Sequence, residues 1–120
     1  MNVVINLAPR SCFTRQELLA TFDDDLGFVR EIVDAFISRC PILIGEMREG
    51  ALAGDAGAVS RAAHTLKGSI GYFEEGDAYS TAETIEHISA EDLPRVPALL
   101  ASLEQSVGDI TRYLNAEFSS

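Results

Sequence analysis

The sequence predicts an all-α fold: an antiparallel up-down-up-down four-helix bundle with an additional short helix at its N-terminal side. Three observations carry this. Apolar residues recur at three- and four-residue spacing through nearly the whole chain, with no sustained apolar–polar alternation. The glycine-, proline- and acid-rich breaks between these stretches are short, which makes successive helices antiparallel neighbours. The 120 residues are 47% apolar and 23% charged, enough for one core and too few for two ordinary domains, so residues 1–120 read as a single domain.

Residues 1–13 read as an irregular or partly extended lead-in. Thr14 starts the short helix, and Glu17 completes a capping box ahead of Leu18, Leu19 and Phe22. The second helix is expected from about Asp23 to Asp25 as far as Gly50. Val29, Val33, Phe36, Cys40, Leu43 and Met47 form its stripe, and Pro41 is expected to kink it. The acidic run at its start suits unpaired N–H groups and the positive end of the helix dipole better than a metal. After GALAGDAG, Asp55 is the N-cap of a third helix that carries Val59, Ala62, Leu66, Ile70 and Phe73 inward and ends near Gly76. A fourth uses Ala78, Ala82, Ile85 and Ile88. A fifth, from about Pro94 to Phe118, has a seam spaced alternately by four and three residues. A coiled-coil dimerisation element is the rival reading of that seam, which spans under three heptads; the chain is therefore expected to be a monomer.

A net charge of −10 opposes binding to nucleic acid phosphates and to anionic bilayers. No apolar run approaches the roughly 18 residues of a membrane span, and the start does not read as a secretory signal, so the expected location is cytoplasmic. Cys12 and Cys40 match no zinc-ligand spacing and read as reduced thiols. Neither an inward Glu-x-x-His pair nor a phosphate-cradling G-x-x-x-x-G-K loop is present, so no metal, no bound cofactor and no autokinase activity are expected.

Glycine costs roughly 0.5–1 kcal/mol against alanine inside a helix, yet Gly68 and Gly71 stand within AAHTLKGSIGYF. On a helical wheel centred on Leu66 and Ile70, Gly57, Ser60, His64, Lys67, Gly68 and Gly71 fall on the opposite, solvent side. Small neighbours expose the imidazole, a competent nucleophile near neutral pH, and Lys67 brings a cation to whatever anion arrives there. The grouping describes a landing site for a phosphoryl group. A solvent-exposed histidine on a helix of poor propensity is the plainer reading of the same residues.

The string His64-Thr65-Leu66-Lys67-Gly68-Ser69 closely resembles the H-x-L-K-G-S signature of histidine phosphotransfer (HPt) domains, and Phe36, Pro41, Gly54-Asp55, Ala78, Ala82 and Ile85-Glu86 are similar to that family's flanking pattern. The resemblance implies that His64 is the phosphoacceptor, with Lys67 steadying the phosphoryl group and Gly68 permitting a receiver domain to approach. It implies a phosphorelay intermediate, a carrier rather than an enzyme, that takes its phosphoryl group from a receiver aspartate and passes it to another receiver. The implied partners are response-regulator receiver domains and a hybrid histidine kinase, with Mg²⁺ supplied by the receiver. Ser60 and Gly71 join the expected receiver-binding face on the wheel alone.

Glu74 stands where the family commonly carries glycine, which predicts an altered turn and a more acidic edge below His64. A hairpin centred near Glu75 brings Glu86 level with His64, where its carboxylate can fix one ring nitrogen; a solvated acid on the fourth helix is the alternative. His87 lacks a comparable setting and reads as ordinary surface. Tyr72, Phe73 and Tyr79 border the site or pack beneath it. A helical adaptor carrying no phosphate is the competing function. The initial methionine and polar ending favour a free-standing protein over a segment of a hybrid kinase.

Overall fold

The computed structural model describes residues 12–118. The lead-in expected over residues 1–13 falls outside them up to residue 11; Cys12 then forms an isolated antiparallel bridge with Glu74, and the Phe13 N–H donates to the Phe73 carbonyl at 2.9 Å. Helix α1 (Arg15–Thr21) opens on the capping box, with the Glu17 N–H donating to Thr14 Oγ1 and the Thr14 N–H to Glu17 Oε1. Helix α2 (Leu26–Leu52) takes Asp25 as its N-cap, whose carboxylate accepts from the Phe28 N–H. Asp23 and Asp24 lie in the turn before it at φ 57° and 59°, so one carboxylate of the acidic run caps the helix while the other two bend the chain.

Helix α2 runs through Pro41 without interruption and continues past Gly50, the expected end. Helices α3 (Ala56–Ile70), α4 (Asp77–Glu86) and α5 (Val96–Phe118) complete the bundle, with a 3-10 turn (Ala90–Arg95) before α5 where a loop was expected. Each long helix packs on two neighbours: α2 on α3, α3 on α4, α4 on α5, and α5 back on α2. The core threads between them through Phe36, Met47, Leu66, Ile70, Ile85 and Leu103. At one end Arg15 and Arg30 fasten α1 and α2 to the last turn of α5. The Arg15 guanidinium sits 5.0 Å from the Phe118 ring, and Arg30 Nε donates to the Phe118 carbonyl at 3.1 Å.

Two further boundaries depart from expectation. Helix α3 stops at Ile70, six residues short of Gly76, because the chain turns over Gly71 to Phe73. Phe73 is buried as expected, at 1% exposure and 4.9 Å from the Phe36 ring, but it is carried there by the turn and not by the helix. Helix α4 ends at Glu86, leaving Ile88 half-buried in the connection. Both cysteines are free; burial pushes each thiol up to about 12, helped at Cys12 by Glu74 and Asp109, so both are poor nucleophiles. No described helix is long and apolar enough to cross a membrane.

Candidate functional site

Helix α3 sets the site because its buried stripe, Val59, Ala62, Ala63, Leu66 and Ile70, fixes its rotation. His64 then projects outward with its side chain 68% exposed. An added Cβ at Gly68, one turn further, would meet no heavy atom within 4 Å beyond its own helix backbone, so the surface beside the imidazole is open. Gly71 differs. A Cβ there would lie 3.4 Å from the Tyr79 ring, in contact with α4, so Gly71 borders the α3–α4 seam and not the open outer face.

Glu86 reaches His64 from α4. Its Oε2 lies 2.8 Å from His64 Nδ1, and a carboxylate that only accepts requires Nδ1 to be the hydrogen-bearing nitrogen. In the neutral ring Nε2 therefore keeps its lone pair. The other oxygen, Oε1, is sealed from solvent with the Lys67 ammonium 2.6 Å away, an ion pair that lies off the line of a regular hydrogen bond. Charge compensation depends on that separation more than on the angle. Lys67 also stands 3.9 Å from Glu83 Oε2 and 5.9 Å from the centroid of the Tyr79 ring. Lys67 holds the Glu86 carboxyl below its usual range, against the opposing effect of burial and with help from His64; Glu86 in turn raises Lys67.

Ser60 was expected on the receiver-facing surface, but its hydroxyl donates to the Glu86 backbone carbonyl at 2.7 Å. It ties α3 to the last turn of α4, where carbonyls lack helical partners, and so sets the height of Glu86 against His64. Lys67 likewise lies along the α3–α4 seam, its side chain only 17% exposed, and does not stand free beside the imidazole. His87 is the exposed C-cap of α4.

Glu74 overturns the expectation of an acidic edge. Its side chain is 4% exposed and turned inward, and its carboxylate accepts from the N–H groups of Gly76, Ala78 and Tyr79 at the start of α4. The negative charge is spent on a helix N-terminus and not presented below His64. No regular cap signal marked this in the sequence, because Glu74 stands two positions before the N-cap Gly76 and is easily read as part of the preceding helix.

An exposed aromatic group lies beyond the end of α3. Phe28 and Tyr72 are each about half exposed, and Phe22 bridges them at 5.7 and 6.0 Å between ring centroids. Phe22 was legible only as an apolar residue of the first helix and Phe28 was not singled out, because the turn that gathers them with Tyr72 depends on α3 ending early.

Residues 31–113 match the family model described as Hpt domain, a span that includes the whole His64, Lys67, Glu83 and Glu86 cluster and most of all four long helices. No curated protein and no solved structure matches the chain. With well over half of its length matched and its helices closed into a bundle around one core, the chain belongs to the Hpt domain family, the phosphocarriers of histidine phosphotransfer in two-component signalling.

Proposed function

We propose that the protein is a phosphorelay intermediate whose His64 takes a phosphoryl group from a receiver-domain aspartate and passes it to a second receiver. The observation that carries this is an open imidazole with Nδ1 engaged by Glu86 and no side chain at Gly68 to obstruct Nε2. In the forward step the Nε2 lone pair forms the N–P bond as the P–O bond to the aspartyl carboxylate breaks, and the carboxylate leaves on the receiver. The ring gains positive charge as the bond forms; Nδ1–H stays on Glu86, whose anion balances that charge. Lys67 neutralises part of the charge on the phosphoryl oxygens. The receiver contributes its acidic pocket and Mg²⁺, and this chain contributes nucleophile, cation and access.

Phe22, Phe28 and Tyr72 suit the apolar part of a transient docking surface, since Tyr72 stands in the turn two residues beyond the end of α3, the helix that carries His64. Phosphohistidine and acyl phosphate are both reactive linkages, so the direction of transfer follows the phosphorylation levels of the partners.

The test is incubation with a panel of phosphorylated receivers and Mg²⁺. Acid-labile, base-stable label is expected on the wild type and absent from His64→Gln. Receiver binding by both proteins with label on neither would replace the relay with a helical adaptor.

A further inference from the structure

Lys67 is one cation between two carboxylates. Glu86 Oε1 lies 2.6 Å from its ammonium and Glu83 Oε2 lies 3.9 Å away, with the centroid of the Tyr79 ring at 5.9 Å. With a neutral His64 the cluster already carries one excess negative charge. A phosphoryl group on Nε2 adds to it, and Lys67 is the cation at hand: the neighbouring Arg61 is folded back along α3, its guanidinium 3.2 Å from where a Cβ of Gly57 would stand. The ammonium must therefore be redirected when His64 is loaded.

The two carboxylates are not equivalent in that exchange. Glu86 is only 15% exposed, its Oε2 is committed to His64, and its sealed Oε1 has the ammonium as its compensating neighbour. Losing Lys67 would leave a buried anionic oxygen uncompensated, an outcome that costs more than a solvated charge losing its partner. Glu83 is 53% exposed and more distant, so water replaces Lys67 there at little cost. The ammonium has three N–H groups, so it can keep its close ion pair with Glu86 and turn another N–H towards a new acceptor, giving up only the looser electrostatic pull of Glu83.

Resting on the phosphorelay reading, we infer that phosphorylation of His64 makes Lys67 exchange Glu83 for the phosphoryl oxygens while it keeps Glu86, so that Glu83 is a positioning residue that weakens retention of the phosphoryl group and biases it towards the receiver. Glu83 competes for the cation that would otherwise be fully available to phosphohistidine. It makes and breaks no covalent bond; it shifts the equilibrium of the transfer step.

The experiment has two arms. In the first, label from the receiver panel is allowed to equilibrate, and its partition between His64 and the receiver is compared for wild type, Glu83→Gln, Lys67→Met and the double variant. Glu83→Gln is expected to move the partition about two- to fivefold towards His64, the range of an exposed ion pair. The same substitution is expected to do little in the Lys67→Met background. An unchanged partition, or an equal change in both backgrounds, overturns the inference. In the second arm His64 is phosphorylated with phosphoramidate, which needs no receiver, and the Lys67 ammonium is followed by NMR. Its signal should move on labelling in the wild type and move less in Glu83→Gln, where the exchange has lost its starting partner. Failure of every receiver to label His64 would sink the relay reading. The phosphoramidate arm would then decide the inference separately, and an unmoved ammonium signal, or a His64 that takes no label, would end it.

Discussion

Gly50 and Gly68 face each other's problem from opposite sides of α3. At Gly50, inside α2, an added Cβ would come within 2.9 Å of Val59 Cγ2 and 3.3 Å of the Val59 backbone nitrogen. At Gly68 it would meet nothing. Both positions are helical, so both give up the same intrinsic stability for lacking a side chain. One glycine closes a seam between two helices; the other keeps a surface bare. The lesson is that α3 is clamped tightly on its inner sides so that its outer face can be left empty without the helix drifting. Propensity alone cannot tell the two uses apart.

The strongest way to break that contrast is to loosen the clamp on α4. Glu74→Ala leaves the N–H groups of Gly76, Ala78 and Tyr79 without their acceptor in a largely buried setting, and should cost about 2–3 kcal/mol in denaturant unfolding. A variant as stable as the wild type would show that α4 is held by side-chain packing alone. The glycines themselves give the next largest effect. Gly68→Ala should stabilise by about 0.5–1 kcal/mol, the plain helical gain. Gly50→Ala receives the same gain but must push Val59, a stiff, fully buried side chain, so the two variants should differ by about 1–3 kcal/mol. Equal thermal midpoints would erase the distinction.

How much of this was visible in the sequence follows the same division between seam and face. The helix stripes, the Asp55 cap and the outward rotation of His64 depend on local periodicity, and they were readable. The pairing of Glu86 with His64 was readable too, since a hairpin places residues equidistant from its turn at one level even when the exact turn is misjudged. What escaped depended on contacts between helices. Gly50 looked like a helix end because nothing local marks the proximity of Val59. Gly71 shared a wheel sector with Gly68, but the wheel does not include Tyr79. Glu74 was placed on the outside because its inward turn requires α3 to stop at Ile70, and Ser60 because its acceptor is a backbone carbonyl of α4.

The smallest expected effect tests whether the α3–α4 seam is also held by charge. Lys67 chiefly depresses the Glu86 carboxyl below its ordinary value of 4.5, and Glu86 raises Lys67 above 10.5. For a depressed acid the stabilisation is present above the unfolded value and is lost as pH falls through the lower folded one. For the raised lysine it is present below 10.5 and lost as pH rises through the higher folded value. The pair therefore contributes steadily across neutral pH and fades at both extremes. Glu86→Gln removes the titrating partner, so its urea midpoint, followed from neutral pH into the acid range below 4.5, should fall less steeply than that of the wild type. Parallel acid limbs would mean that the ion pair orients Lys67 and His64 without helping to hold the two helices together, leaving Ser60 and the apolar contacts to close the seam.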